Sequence, residues 1–251
     1  MKVTLIFAAI LGLVIFPLAA YSGNLDSDAG SDVGRNTDRV ALELAIMGKR
    51  GAIVEDVRER TIAVLQASDS CAEWYEQSNP DVADVFRSLH YSIEDDQPSY
   101  TLRRYDYRGV QLLKNPWAAH AIQYGGREST VHLNINGPFF RRISPVLDLG
   151  SRRWISPISH TRLGVAEFSG DTTEAQIAIL LHELGHVIGR LPLDTDSWDG
   201  QSSRNTVEVL RHCKPEITEA AQKNWQHELQ RPLMLGVPLV ASARAERSRR
   251  P

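Results

Sequence analysis

The chain has 251 residues, with 28 Lys plus Arg against 31 Asp plus Glu and a formal net charge of -3. A hydrophobic fraction of 42% is enough for a sizeable core, which excludes an intrinsically disordered chain, and the near balance of charge gives no electrostatic argument for a nucleic-acid partner. The local basic runs, Arg152-Arg153 and Arg244 to Arg250, read as solvated surface.

Lys2, the uncharged apolar run Val3 to Phe16, and the small residues that close the stretch Pro17 to Ser22 form the pattern of a secretory signal peptide over residues 1–22. The apolar run is short for a membrane span, so no stable membrane anchor is expected and the chain reads as secreted or periplasmic. Outside the cytoplasm the two cysteines, Cys71 and Cys213, are expected to form a disulfide. Closing a loop of about 140 residues stabilises by roughly 4 to 5 kcal/mol in the chain-entropy model. Residues 23–38, rich in Gly, Ser, Asn and Asp, read as a flexible leader, residues 39–231 as the folded domain, and the Pro- and Arg-rich residues 232–251 as a loose tail.

Within the domain, apolar residues recur at helical spacing from Arg39 to Gln66, interrupted at Gly48 and Gly51, and again from Cys71 to Leu89 with a break at Asn79-Pro80. The pattern then changes to alternation. Strands are expected at Tyr100 to Tyr107, Ala118 to Tyr124 and Thr130 to Asn136, with Gly125-Gly126 as a turn. Arg141 to Gly170 reads as irregular, with one further strand near Leu163 to Phe168. A helix follows, capped by Asp171 or Thr173 and stopped by Gly189. Asn205 is a candidate cap for a helix reaching Cys213, and Glu216 to Gln230 for another. The fold class expected is α+β: N-terminal helices, a small mainly antiparallel sheet, one buried helix, and C-terminal helices.

That buried helix carries the chemistry. Ile177, Leu180, Leu181, Leu184, Val187 and Ile188 cover much of its circumference, yet it also contains His182, Glu183 and His186 in the pattern HExxH. Residues four apart share a helix face, so two imidazoles can converge on one metal ion while the neighbouring carboxylate reaches a bound water. A catalytic zinc ion takes three protein ligands and keeps the fourth position for water, so one ligand is missing from the helix itself. His120, His132 and His160 have no partner at ligand spacing and read as ordinary histidines.

The run His182-Glu183-Leu184-Gly185-His186-Val187-Ile188-Gly189 resembles the active-site helix of the zincin metallopeptidases, and Gly189 is similar to the glycine of the metzincin pattern HExxHxxGxxH/D. The position of that pattern's third ligand is held by Pro192, which cannot bind metal. Asp194, Asp196 and Glu208 are the candidates that remain; Asp194 is preferred because the turn after Gly189 returns it soonest beneath the helix. The resemblance implies a zincin-like fold, a Zn²⁺ cofactor on His182, His186 and an aspartate, Glu183 as general base, and a peptide or protein substrate. It also implies that an extended substrate adds to an edge strand, for which Thr130 to Asn136 is the candidate. The rival class is a secreted binding or structural protein with a vestigial or structural zinc site.

Overall fold

The computed structural model describes residues 39–95, 101–106, 109–114, 116–148, 157–195 and 200–223. The segments read as signal peptide, leader and tail, and Asp196, lie outside these residues.

The chain is mixed α and β, in the order helices, strands, helices. Residues 39–46 form α1, followed by α2 (Lys49–Gln66), α3 (Ser70–Glu76) and α4 (Val82–Arg87). The strands are β1 (His90–Glu94), β2 (Thr101–Asp106), β3 (Gly109–Lys114), β4 (Ala119–Ala121), β5 (Thr130–Asn134), β6 (Ile143–Asp148), β7 (Pro157–Arg162), β8 (Gly164–Val165) and β9 (Phe168–Ser169). Two helices close the described chain, α5 (Thr173–Val187) and α6 (Gln201–Gln222). None of the described helices is long and apolar enough to cross a membrane.

Three sheets form. One has the order β1-β5-β4, with β1 parallel to β5 and β4 antiparallel to it; a second is the antiparallel series β2-β3-β6-β7; the third is the β8-β9 hairpin. This order corrects two expectations. Thr130 to Asn136 does hold a strand, but β5 is the middle strand, with neighbours on both sides, so it has no open edge to offer. The segment Arg141 to Gly170 is not irregular, because β6 and β7 pair within it. Pro145 and Pro157, which argued against strands, sit in β6 and at the first residue of β7, positions where a missing N–H is tolerated beside a register shift or at a strand start.

From Ala175 to Val187 every residue of α5 is buried, as its all-round apolar sequence demands. Its N-cap is Thr172, whose hydroxyl accepts from the Ala175 N–H, rather than the flanking Asp171 or Thr173. At its other end Ile188 is the C-cap and Gly189 takes the left-handed conformation, φ 72°, with Tyr124 so close that a Cβ would meet its ring at 2.0 Å. The β4-β5 turn closes this end through Tyr124 N–H to His186 O and Gly126 N–H to Val187 O. Tyr75, fully buried on α3, donates to Leu181 O at 2.6 Å and so pins α5 from the other side.

Cys71 and Cys213 are joined, tying α3 to α6 across 142 residues. A single helix spans the region expected to hold two, with Pro215 inside it, and Asn205 lies in its first turns rather than at the cap. α5 packs against α6, α2 and β4, so the HExxH segment is held between the helical layer and the edge of the first sheet.

Candidate metal centre

His182 and His186 leave α5 one turn apart on the same face, and the turn after Gly189 brings Asp194 to meet them. His182 Nε2 is 3.0 Å from Asp194 Oδ2 and 3.0 Å from His186 Nε2, and His186 Nε2 is 3.3 Å from Asp194 Oδ1. Four-coordinate zinc with bonds of about 2.0 to 2.1 Å sets its ligand atoms roughly 3.3 Å apart, the edge of the tetrahedron. The three donors are therefore already close to one face of such a shell.

The hydrogen-bonding pattern also fits a cation. Thr206 Oγ1 donates to Ser202 O at 3.0 Å, so towards His182 Nδ1, 3.1 Å away, its oxygen accepts. That fixes the Nδ1–H tautomer and leaves a bare Nε2 lone pair facing a carboxylate oxygen and a second imidazole nitrogen. Converging lone pairs in a buried site are unfavourable without a proton or a metal between them. His182 and His186 are only 6% and 4% exposed, so water does not relieve the conflict.

Asp194 is held from behind. Asn205, 2% exposed on α6, donates through Nδ2 to Asp194 Oδ1 at 2.6 Å and to Pro192 O at 2.8 Å. The residue that occupies the metzincin ligand position thus serves through its carbonyl, as the anchor of the turn that delivers the carboxylate two residues later. Burial pushes the Asp194 carboxyl up, but where a proton stands in for the metal, hydrogen bonds from His182 and His186, with one from Ser202, outweigh it and hold the group well below the usual carboxylate range. It stays ionised, as a ligand must.

Glu183 is 4% exposed, and its Oε2 has no hydrogen-bond partner. Burial, aided by the negative charge of Asp194, pushes its carboxyl up to about 8, against a hydrogen bond from the Ala121 backbone. An orphaned carboxylate beside a histidine–aspartate cluster is a costly arrangement that a structural role does not require. His186 Nδ1 is likewise buried without a partner. Above these groups lies a cleft of about 560 Å³, with Trp117, His120, Val165 and Leu193 among its walls and His182, Glu183, His186 and Asp194 at its base.

Of the other ligand candidates, Glu208 sits on α6 bonded to Arg211 and to His212 and is not in the cluster. Thr206 was not legible as a positioning group, since a side chain that meets a buried histidine from a later helix has no local signature. Comparisons of the chain with known protein families, with curated proteins and with solved structures gave no match, which leaves the chemistry of the site to carry the assignment.

Proposed function

We propose that this protein is a secreted, zinc-dependent metallopeptidase of zincin-like build, in which His182, His186 and Asp194 hold the metal. The observation that carries the reading is the approach of Asp194 to the two helix histidines within 3.0 to 3.3 Å, together with the unpartnered Oε2 of Glu183 beside them. When bound, zinc supplies a Lewis acid that polarises a carbonyl and lowers the pKa of water.

The rest of the chemistry belongs to the chain. Glu183 has an oxygen free of other bonds in a desolvated position that raises its proton affinity above that of an ordinary carboxylate, and in its ionised form it can take a proton from attacking water and return it to the departing amine. Its Ala121 hydrogen bond couples it to β4. β4 is the outer strand of its sheet, and residues 116–121 line the cleft, so an extended peptide laid along β4 gains main-chain hydrogen bonds while its scissile bond lies over the histidines. Thr206 and Asn205 keep His182 and Asp194 in place and so reduce the reorganisation that binding would cost.

The test is Glu183→Gln. A general base contributes about 10²- to 10⁴-fold and is not a ligand, so this variant is expected to retain zinc by elemental analysis and lose that factor in a broad peptide-library cleavage assay. Cleavage at the native rate by Glu183→Gln would overturn the mechanism.

A further inference from the structure

We infer that the sheet β1-β5-β4 carries a second divalent transition-metal site on the face opposite the buried Val131 and Leu133, built from Glu94, His132 and His120. Each strand supplies one of the three. The parallel register places Ser92 beside His132 and Glu94 two residues further on, and the antiparallel register places His120 directly across from His132. Side chains two apart on a strand share a face, so all three groups rise from the same surface of the sheet.

Their geometry is that of a chelate open to solvent. Glu94 Oε1 is 2.6 Å from His132 Nδ1, the rings of His132 and His120 stack with centroids 4.6 Å apart and planes at 14°, and one donor atom from each residue lies within 4.8 Å of the others. Two imidazole nitrogens and one carboxylate oxygen suit zinc, nickel or copper and not magnesium or calcium. A metal ion uses both rings in their neutral form. The side chains of His132 and Glu94 are 29% and 35% exposed, which leaves water access for the remaining coordination positions. The site is more exposed than the buried helix site, so binding there is expected to be weaker.

The position gives the site a consequence. His120 lines the cleft above Glu183, and the Trp117 ring, also in the cleft wall, lies 4.7 Å from it. An ion held there stiffens the outer strand at the cleft mouth. This inference does not depend on the helix site being catalytic.

Calorimetric titration of chelator-stripped, full-length protein with Zn²⁺ tests it. The expected result is two equivalents in two steps for the native chain, the weaker step lost in His120→Ala/His132→Ala and weakened at least tenfold in Glu94→Gln, and the weaker step retained in His182→Ala/His186→Ala. A native chain whose every zinc-binding step survives in His120→Ala/His132→Ala overturns the inference, whether that chain takes one equivalent or two. The exposed pair can be removed without opening the core, so the second variant remains decisive even where loss of the buried histidines prevents folding.

Discussion

Asn205→Ala tests the construction of the centre without touching a ligand. Its Nδ2 makes two bonds, at 2.6 Å to Asp194 Oδ1 and 2.8 Å to Pro192 O, from a position 2% exposed. A hydrogen bond to a charged group is worth about 1.5 to 3 kcal/mol, but the bond to Asp194 exists with and without metal, so only part of that appears in the binding step. What binding loses is preorganisation: the turn from Pro192 to Asp194 must be ordered at the expense of metal affinity. Removal of partners that orient metal ligands costs typically 10- to 100-fold, or about 1.4 to 2.7 kcal/mol. The zinc dissociation constant of Asn205→Ala, measured by competition against a chelator of known affinity, should rise by that factor while the far-ultraviolet spectrum stays native. An affinity within twofold of native would show that Asp194 needs no support from α6, and the account of how the third ligand is delivered would fail.

Other variants and conditions separate the remaining roles. Asp194→Asn should weaken zinc by more than Asn205→Ala does, because it removes a ligand charge itself; unchanged zinc content on dialysis would move the ligand elsewhere. Native protein unfolded without reductant should show no free thiols, and Cys71→Ala/Cys213→Ala should lose roughly 4 to 5 kcal/mol in urea unfolding; a loss under about 1 kcal/mol would mean that α3 and α6 hold together unaided. His90, buried between Glu43 and Glu128, loses proton affinity to burial but gains more from the two carboxylates, so its folded pKa lies above the unfolded value of about 6.5. Its contribution is then full below that unfolded value and disappears as pH rises through the raised folded one; native protein should lose melting temperature over this interval faster than His90→Gln, and parallel curves would refute the assignment.

The sequence was most legible where one segment had to satisfy two demands at once. In α5 an apolar run around the whole circumference specifies burial, and HExxH specifies which buried groups need a partner, so the helix and its buried polar groups could both be read from fifteen residues. A third ligand was sought in a carboxylate after the turn, and the helix histidines meet Asp194, the nearest of the candidates. Strand order was not legible. Alternation in Thr130 to Asn134 correctly reports that Val131 and Leu133 face inward, but side-chain periodicity describes the faces of a strand, whereas being central or outermost depends on which backbone edges are paired. The same limit hid His120 beside His132: twelve residues apart in the chain, they become neighbours only through a register that neither encodes alone. β1 was missed because its His90-Tyr91 start continues the apolar pattern of α4, and the single α6 was divided because Pro215 lacks the N–H that a helix interior normally uses.

These failures and successes meet at one structural fact. The groups proposed to act on substrate come from α5, where local sequence is decisive, while the groups that aim them come from β4, the turn after Gly189 and α6, where only tertiary contact is decisive. Ala121 reaches Glu183 from the outer strand, Asn205 reaches Asp194, and Thr206 reaches His182 from the helix that Cys213 ties to α3. Rigidity in α6 therefore passes directly to two of the three proposed ligands, whereas His186 Nδ1 has no such partner and takes its orientation from helix packing alone. Loosening α6 should then disturb His182 and Asp194 together and leave His186 in place, so the disulfide is part of the proposed metal centre's support even though neither sulfur lies in the cleft.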